Sequence, residues 1–253
     1  FFILTGEGGN GKDAIIRKLF KNMIGREYFE YSNTTVLTEK RKGALCQEIA
    51  NMNKKRSVVW SEPSKDSILQ GGTIKELTGS SEINARGLYS KTTNVKLMET
   101  CLMMCNKIPR IDNVDGGVAR RIIVVPFRSL FKSPNELAGL ENTDNMYVAD
   151  VYYVSDKFSD DYKMTLFHVL SDYYTKWKAD KYLFKNLPKS IVDLSSGYLQ
   201  DSDDFISWFN ELYESNADTK ADFIQLKDVY DEFRQSDLYD NMSKREKRLM
   251  TRK

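Results

Sequence analysis

The stretch Gly6-Glu7-Gly8-Gly9-Asn10-Gly11-Lys12-Asp13 has the clearest chemistry in this chain. It reads G-x-x-x-x-G-K, the phosphate-binding P-loop pattern. Its glycines and Asn10 let the backbone turn so that successive N–H groups converge on a phosphate. Lys12 adds a mobile positive charge for β- and γ-phosphates. All eight residues are therefore candidate nucleotide contacts. The plain alternative is a glycine turn that holds no ligand.

Asp13 departs from the pattern. A Ser or Thr normally follows the lysine, and its hydroxyl binds Mg2+. A carboxylate also binds Mg2+ through oxygen, yet it brings negative charge close to the phosphates. A second acid, Glu62, follows the apolar run Val58-Val59-Trp60-Ser61. It is the candidate to polarise water or to hold the metal with Asp13. Many nucleotide hydrolases carry another acid just before it, where this chain has Ser61. The missing carboxylate at 61 and the extra one at 13 can be related, since both positions face the metal in a P-loop fold. Asn106 ends a further apolar run and is placed to orient an attacking water. Arg120 and Arg121 follow a glycine pair, Gly116-Gly117. They are either surface charge or donors that stabilise transferred phosphoryl charge.

These groups need elements to position them. Phe1-Phe2-Ile3-Leu4-Thr5 reads as a buried strand, and apolar residues at 15, 16, 19 and 20 make one helical face. Strand, glycine loop and helix in that order put the loop's N–H groups at a helix N-terminus. Further on, Lys42 to Asn53 reads as a helix, Arg56 to Trp60 as a strand and Ile68 to Leu77 as a helix. Glu82 to Asn94 reads as a hairpin with Lys91 near its turn. Val95 to Cys105 and Arg120 to Phe127 read as strands. This alternation predicts an α/β core, a central parallel sheet with helices on both faces, over residues 1–128.

Residues 129–185 read as a polar, acidic connector followed by a helix from Tyr162 to Tyr182. The stripe of Met164, Leu166, Phe167, Leu170, Tyr174 and Trp177 on that helix is expected to be core packing. Residues 186–253 read as a linker to Gln200, then helices near 201–215 and 223–233, and a basic end from Lys244.

Composition constrains partners. The chain has 253 residues, 41% hydrophobic and 29% charged, with a net charge of +2. No global field points to nucleic acid, so any such contact must be local. Cys46, Cys101 and Cys105 are few and odd in number; Cys101 and Cys105 lie in an apolar strand-like run, which favours buried thiols over metal ligands there and suits a reducing interior. The single histidine, His168, excludes a Ser–His–Asp mechanism elsewhere and is read as structural. No run of 18 apolar residues exists, and neither a membrane partner nor a signal peptide is expected. The chain begins inside its first strand, as a fragment of a longer protein would.

Residues 1–128 closely resemble the superfamily 3 helicases, and among them the poxvirus-type primase–helicase group of large DNA viruses, phages and plasmids. The resemblance rests on Gly6–Lys12, Ser61-Glu62-Pro63, Ile74-Lys75-Glu76-Leu77-Thr78-Gly79, Ile83-Asn84-Ala85-Arg86-Gly87-Leu88-Tyr89, Cys105-Asn106-Lys107-Ile108-Pro109 and Ala119-Arg120-Arg121, in the family's order and spacing. It implies an AAA+ type fold, a hexameric ring of copies, ATP with Mg2+ at subunit interfaces and translocation on DNA. It makes Glu62 the Walker B acid, Asn106 the sensor, and Arg120 or Arg121 the finger that reaches a neighbour's γ-phosphate. The hairpin carries DNA in this family, which points to Lys91, with Arg86 and Lys96 nearby. An upstream primase region would be a partner within the same protein. Such proteins act inside the cell, in host cytoplasm, a viral replication site or the nucleus. The tail beyond residue 160 resembles the family's helical, winged-helix-like region only loosely. Two other functions fit a P-loop chain of this kind: an ATPase for DNA packaging or loading, and a non-hydrolysing DNA-binding ring subunit, which Asp13 makes plausible.

Overall fold

The computed structural model describes residues 1–40, 46–64, 66–86, 93–140, 143–181, 187–213, 224–242 and 247. The chain forms two compact units, Phe1–Leu199 and Gln200–Lys253.

The first unit is built on strands β1 (Phe2–Thr5), β2 (Phe29–Ser32), β3 (Ser57–Ser61), β6 (Thr100–Cys105) and β7 (Ile123–Pro126). They form one sheet in the order β2-β3-β6-β1-β7, and every neighbouring pair is parallel. A separate antiparallel hairpin pairs β4 (Glu82–Ala85) with β5 (Thr93–Lys96). The parallel strands are apolar on both faces because helices cover both. On one face Ile3, Val58, Trp60, Met103 and Val124 share a core with Ile49, Ile74 and Leu77, from the helices Gln47–Asn51 and Gly71–Gly79. On the other, Leu4, Val59, Leu102 and Met104 pack against Ile16, Phe20 and Ile24. Those three lie on the helix that follows the glycine loop, π-type over Ala14–Phe20 and α over Lys21–Ile24. The expected α/β core with a central parallel sheet is the observed one.

Several boundaries differ from expectation, each for a local reason. The run Val95 to Cys105 is two strands. The chain turns at Leu97-Met98-Glu99, where the Glu99 carboxylate accepts from the Met98 N–H at 2.8 Å. Lys96 therefore belongs to the hairpin. The strand expected from Arg120 begins only at Ile123. Asp115 caps a one-turn helix, Gly116–Ala119, by accepting from the Val118 N–H at 2.8 Å, and the two arginines lie on the turn beyond it. The connector holds a short parallel pair, β8 (Leu130–Lys132) and β9 (Met146–Val148). Its polar composition hides strands only three residues long.

The segment expected as a linker forms the helix Lys189–Ser202. Its Leu194, Tyr198 and Leu199 pack on the sheet's core, and its Ser195 hydroxyl accepts the Val124 N–H at 2.9 Å. That bond occupies a donor on β7, the strand at the sheet's edge, which is where an uncovered ladder would otherwise face water. The long helix starts earlier than its apolar pattern, at Asp156–Ala179, because the Ser155 side chain caps it. Its aromatic stripe is not core. Met164, Phe167, Leu170 and Tyr174 are all exposed, Met164 by 57%, and so is His168. The helix packs against the helix Ala14–Ile24 and the short turn Val151–Val154.

The second unit is helical among its described residues: Asp204–Leu212, Leu226–Phe233 and Asp237–Asn241. Phe233 is fully buried, with ring centroids 4.9 Å from Phe205, 5.0 Å from Trp208 and 5.6 Å from Tyr239. No strand occurs among those residues.

Candidate active site

Parallel strands point their C-terminal ends the same way, and in open α/β sheets ligands bind outside those ends. Here β1 ends in the glycine loop, β3 in Glu62, β6 in Asn106 and β7 in Phe127. The Glu62 strand is not beside the loop strand; β6 lies between them. Asn106 thus sits between the lysine and the acid.

Hydrogen bonds join the three. Lys12 is buried, and its ammonium donates to the carbonyls of Gly6 at 2.5 Å and Glu7 at 3.5 Å and to Asn106 Oδ1 at 3.4 Å. The Asn106 N–H donates to both Glu62 oxygens, at 3.4 and 3.2 Å. Thr5 donates its hydroxyl to the Asn106 carbonyl at 3.2 Å. Burial lowers the Lys12 pKa, and the charges of Glu62 and Asp13 work against that shift. A phosphate offers such an ammonium an opposite charge, which the carbonyls lack. Cys105 lies at the same strand end. Burial, with Glu62 next, pushes its thiol up to about 12, so it remains a neutral buried thiol, as does Cys101.

The loop's shape is fixed from within and from across the sheet. Gly6, Gly9 and Gly11 adopt φ of 145°, 78° and 84°, a region that costs other residues strain. A Cβ on Gly6 would strike the carbonyl oxygen of Phe127. Asn10 is buried; its Oδ1 accepts the Lys12 N–H at 3.2 Å and its Nδ2 donates to the Phe127 carbonyl at 3.5 Å. The Phe131 N–H donates to the Gly9 carbonyl at 2.8 Å. The segment after β7 therefore forms a wall of the loop. Sequence reasoning missed this wall, since no local pattern marks it. Glu62 is itself held at φ 34°, while its N–H continues the ladder to the Met104 carbonyl at 2.8 Å. A non-glycine residue at such an angle costs on the order of 1–3 kcal/mol, which surrounding structure must offset.

Asp13 and Glu62 supply carboxylate oxygens and Ser61 a hydroxyl. This is the hard-oxygen donor set that suits Mg2+, which binds through one or two carboxylates together with substrate phosphates. Among the described residues no group of three protein ligands could hold a metal by itself. The residues fit a cation brought in with phosphates. Arg17 was not anticipated here. It pairs with Asp13 at 3.0 Å and donates to the Ser61 hydroxyl. Its i, i+4 spacing from Asp13 was the available signal.

The other expected residues separate. The Arg121 guanidinium donates to the Gly117 carbonyl at 2.8 Å and lies against Gly79, where a Cβ would sit 2.7 Å from Nη2. Arg120 is exposed. Arg86 and Lys96 are both exposed but stand at opposite ends of the hairpin. Lys96 is level with Glu82, and Arg86 lies beyond the Ala85↔Thr93 pair. Lys91 lies outside the described residues, as does most of the basic end. Among the described residues no helix is long and apolar enough to cross a membrane.

Comparison with known proteins finds similar sequences in large DNA viruses. Residues 4–121 match the model of a family described as "Family of unknown function (DUF5906)". "Putative helicase L207/L206" of Acanthamoeba polyphaga mimivirus is 27% identical over 241 residues, covering 93% of this chain and 24% of that protein. "Putative helicase 022R" of Frog virus 3 is 35% identical over 139 residues, 53% of this chain and 14% of that one. "Uncoating factor OPG117" of Vaccinia virus is 28% identical over 198 residues, 75% of this chain and 25% of that one. The chain thus spans a quarter or less of the length of these relatives. A solved structure of the apo C-terminal region of NrS-1 matches at a TM-score of 0.43 and 18% identity, over 64% of this chain and 34% of that one. The chain is thus similar to proteins of large DNA viruses, among them two named putative helicases and one named an uncoating factor.

Proposed function

We propose that this chain is the ATP-driven motor of a helicase in viral or phage-type DNA replication. The observation that carries the reading is the hydrogen-bonded line Lys12–Asn106–Glu62 at neighbouring ends of a parallel sheet. The glycine loop presents its N–H groups to the β- and γ-phosphates of ATP, and Lys12 exchanges its carbonyl partners for phosphate oxygens. Asp13, Ser61 and Glu62 are the residues that would hold Mg2+, whose chemistry there is to neutralise charge on the phosphates. Glu62 receives the proton of the attacking water, and Asn106 orients that water.

Arg120, exposed on its turn, is the better finger for a neighbouring copy in a hexameric ring. Arg121 is engaged within its own subunit. DNA would meet the hairpin, through Lys91, which the sequence pattern puts near its turn, and through Arg86 at the end of β4. Lys96, at the hairpin's other end, is a weaker candidate. A primase region upstream in the same protein remains the expected partner.

ATP hydrolysis by the chain, with and without single-stranded DNA, tests the reading. Lys12→Ala should abolish turnover, and DNA should stimulate the parent. Unchanged turnover in Lys12→Ala would overturn the nucleotide site. Nucleotide binding without hydrolysis would favour a non-hydrolysing ring subunit.

A further inference from the structure

Asp13 poses a physical problem. It stands where P-loops place a hydroxyl, next to the lysine that must meet phosphate, and its charge is felt at the Lys12 ammonium. An uncompensated carboxylate there repels a triphosphate. The structure supplies a compensation from one turn along the same helix. Arg17 Nε lies 3.0 Å from Asp13 Oδ1, and Arg17 Nη2 donates to Ser61 Oγ at the end of β3. One guanidinium therefore ties together the two positions at which this chain departs from the usual pattern. A planar fork with donors on different nitrogens can hold two oxygens at once; an ammonium is a point charge with no such fork. The fork is itself held. The Tyr31 ring on β2 lies 5.3 Å from the guanidinium carbon, and the Tyr31 hydroxyl donates to the Arg17 carbonyl at 3.5 Å.

The pair is half open to solvent, with the Arg17 and Asp13 side chains 40% and 72% exposed. An ion pair so exposed contributes little to stability. Its effect lies in where it puts charge. We propose that Arg17 is a positioning residue that neutralises Asp13 and holds it to Ser61, so that a phosphate loop with an acid after its lysine still accepts a nucleoside triphosphate. The carboxylate at 13, the hydroxyl at 61 and the arginine at 17 then act as one unit, replacing the usual hydroxyl after the lysine and acid before Glu62. The proposal rests on the nucleotide reading of the loop.

Equilibrium binding of a fluorescent ATP analogue to the full chain tests it, once in EDTA and once in Mg2+. Arg17→Met should weaken binding in EDTA roughly tenfold, the order expected for uncovering one charge near the phosphates in a partly solvated site. Arg17→Lys, which keeps the charge but not the fork, should recover only part of that affinity. In an Asp13→Thr background Arg17→Met should change little, because no carboxylate is left to neutralise. Equal loss in both backgrounds would show that Arg17 only supports the helix and would overturn the proposal. So would parental affinity in Arg17→Met. A parent that binds no nucleotide would instead overturn the site reading on which the proposal stands.

Discussion

The glycine-loop edge of the sheet and the long helix Asp156–Ala179 are the two most strongly patterned stretches of the first unit, and the structure treats them oppositely. At the loop edge nearly every patterned residue has a specific partner. Lys12, Asn106 and Glu62 are joined by named hydrogen bonds, and Gly6 has no room for a Cβ. On the helix the apolar stripe has no such fate; Phe167 is 50% and Tyr174 53% exposed. A chemical motif specifies its own surroundings, since each atom needs a donor, an acceptor or a φ that only certain neighbours supply. An apolar period specifies only that a face avoids water, and does not say what covers it.

Substitutions can break or sharpen that contrast. The largest effect should come from Glu62→Gln. It keeps an acceptor for the Asn106 N–H but cannot take a proton, so turnover should fall by roughly 10²–10⁴-fold while nucleotide affinity stays near parental. Single-turnover hydrolysis alongside equilibrium binding reads both, and equal activity would remove Glu62 from the chemistry. Next, Gly6→Ala should lower the unfolding free energy by about 1–3 kcal/mol, because a methyl group meets the Phe127 carbonyl at a φ that alanine disfavours. Denaturant melts measure it; a parental midpoint would mean that the loop relaxes freely.

A smaller effect separates the arginines. Arg121→Ala should cost about 1 kcal/mol, from the lost bond to Gly117 and the cation at the end of the helix Gly71–Gly79. Arg120→Ala should stay within about 0.5 kcal/mol in the same melts. It should cut turnover only in assembled rings, and recover when mixed with Lys12→Ala subunits. The reverse ranking in the melts would exchange their roles. The smallest effect should be Phe167→Gln on the helix, within about 0.5 kcal/mol. A loss of several kcal/mol there would mean that the face is covered in solution and would erase the contrast.

The core fold was legible because its elements are long in pattern and bounded by the motif residues themselves. Lys12, Glu62 and Asn106 could be placed at strand ends from the runs that precede them. Arg17, Phe127 and Phe131 could not, because their roles depend on which strand ends become neighbours, and sheet order is not written in any local window. The helix Lys189–Ser202 read as a linker because its apolar residues are sparse. They suffice only because β7 presents an edge beside them.

The bond from Asn10 to the Phe127 carbonyl, spanning 117 residues, has a consequence for folding order. The motif that announces the site is contiguous, yet its shape depends on a segment synthesised long after it. Contacts of such sequence separation close late, because the loop entropy is spent before they form. The glycine loop should therefore be among the last features to become native, and a nascent chain that ends before Phe127 would carry the signature without the conformation that gives it meaning.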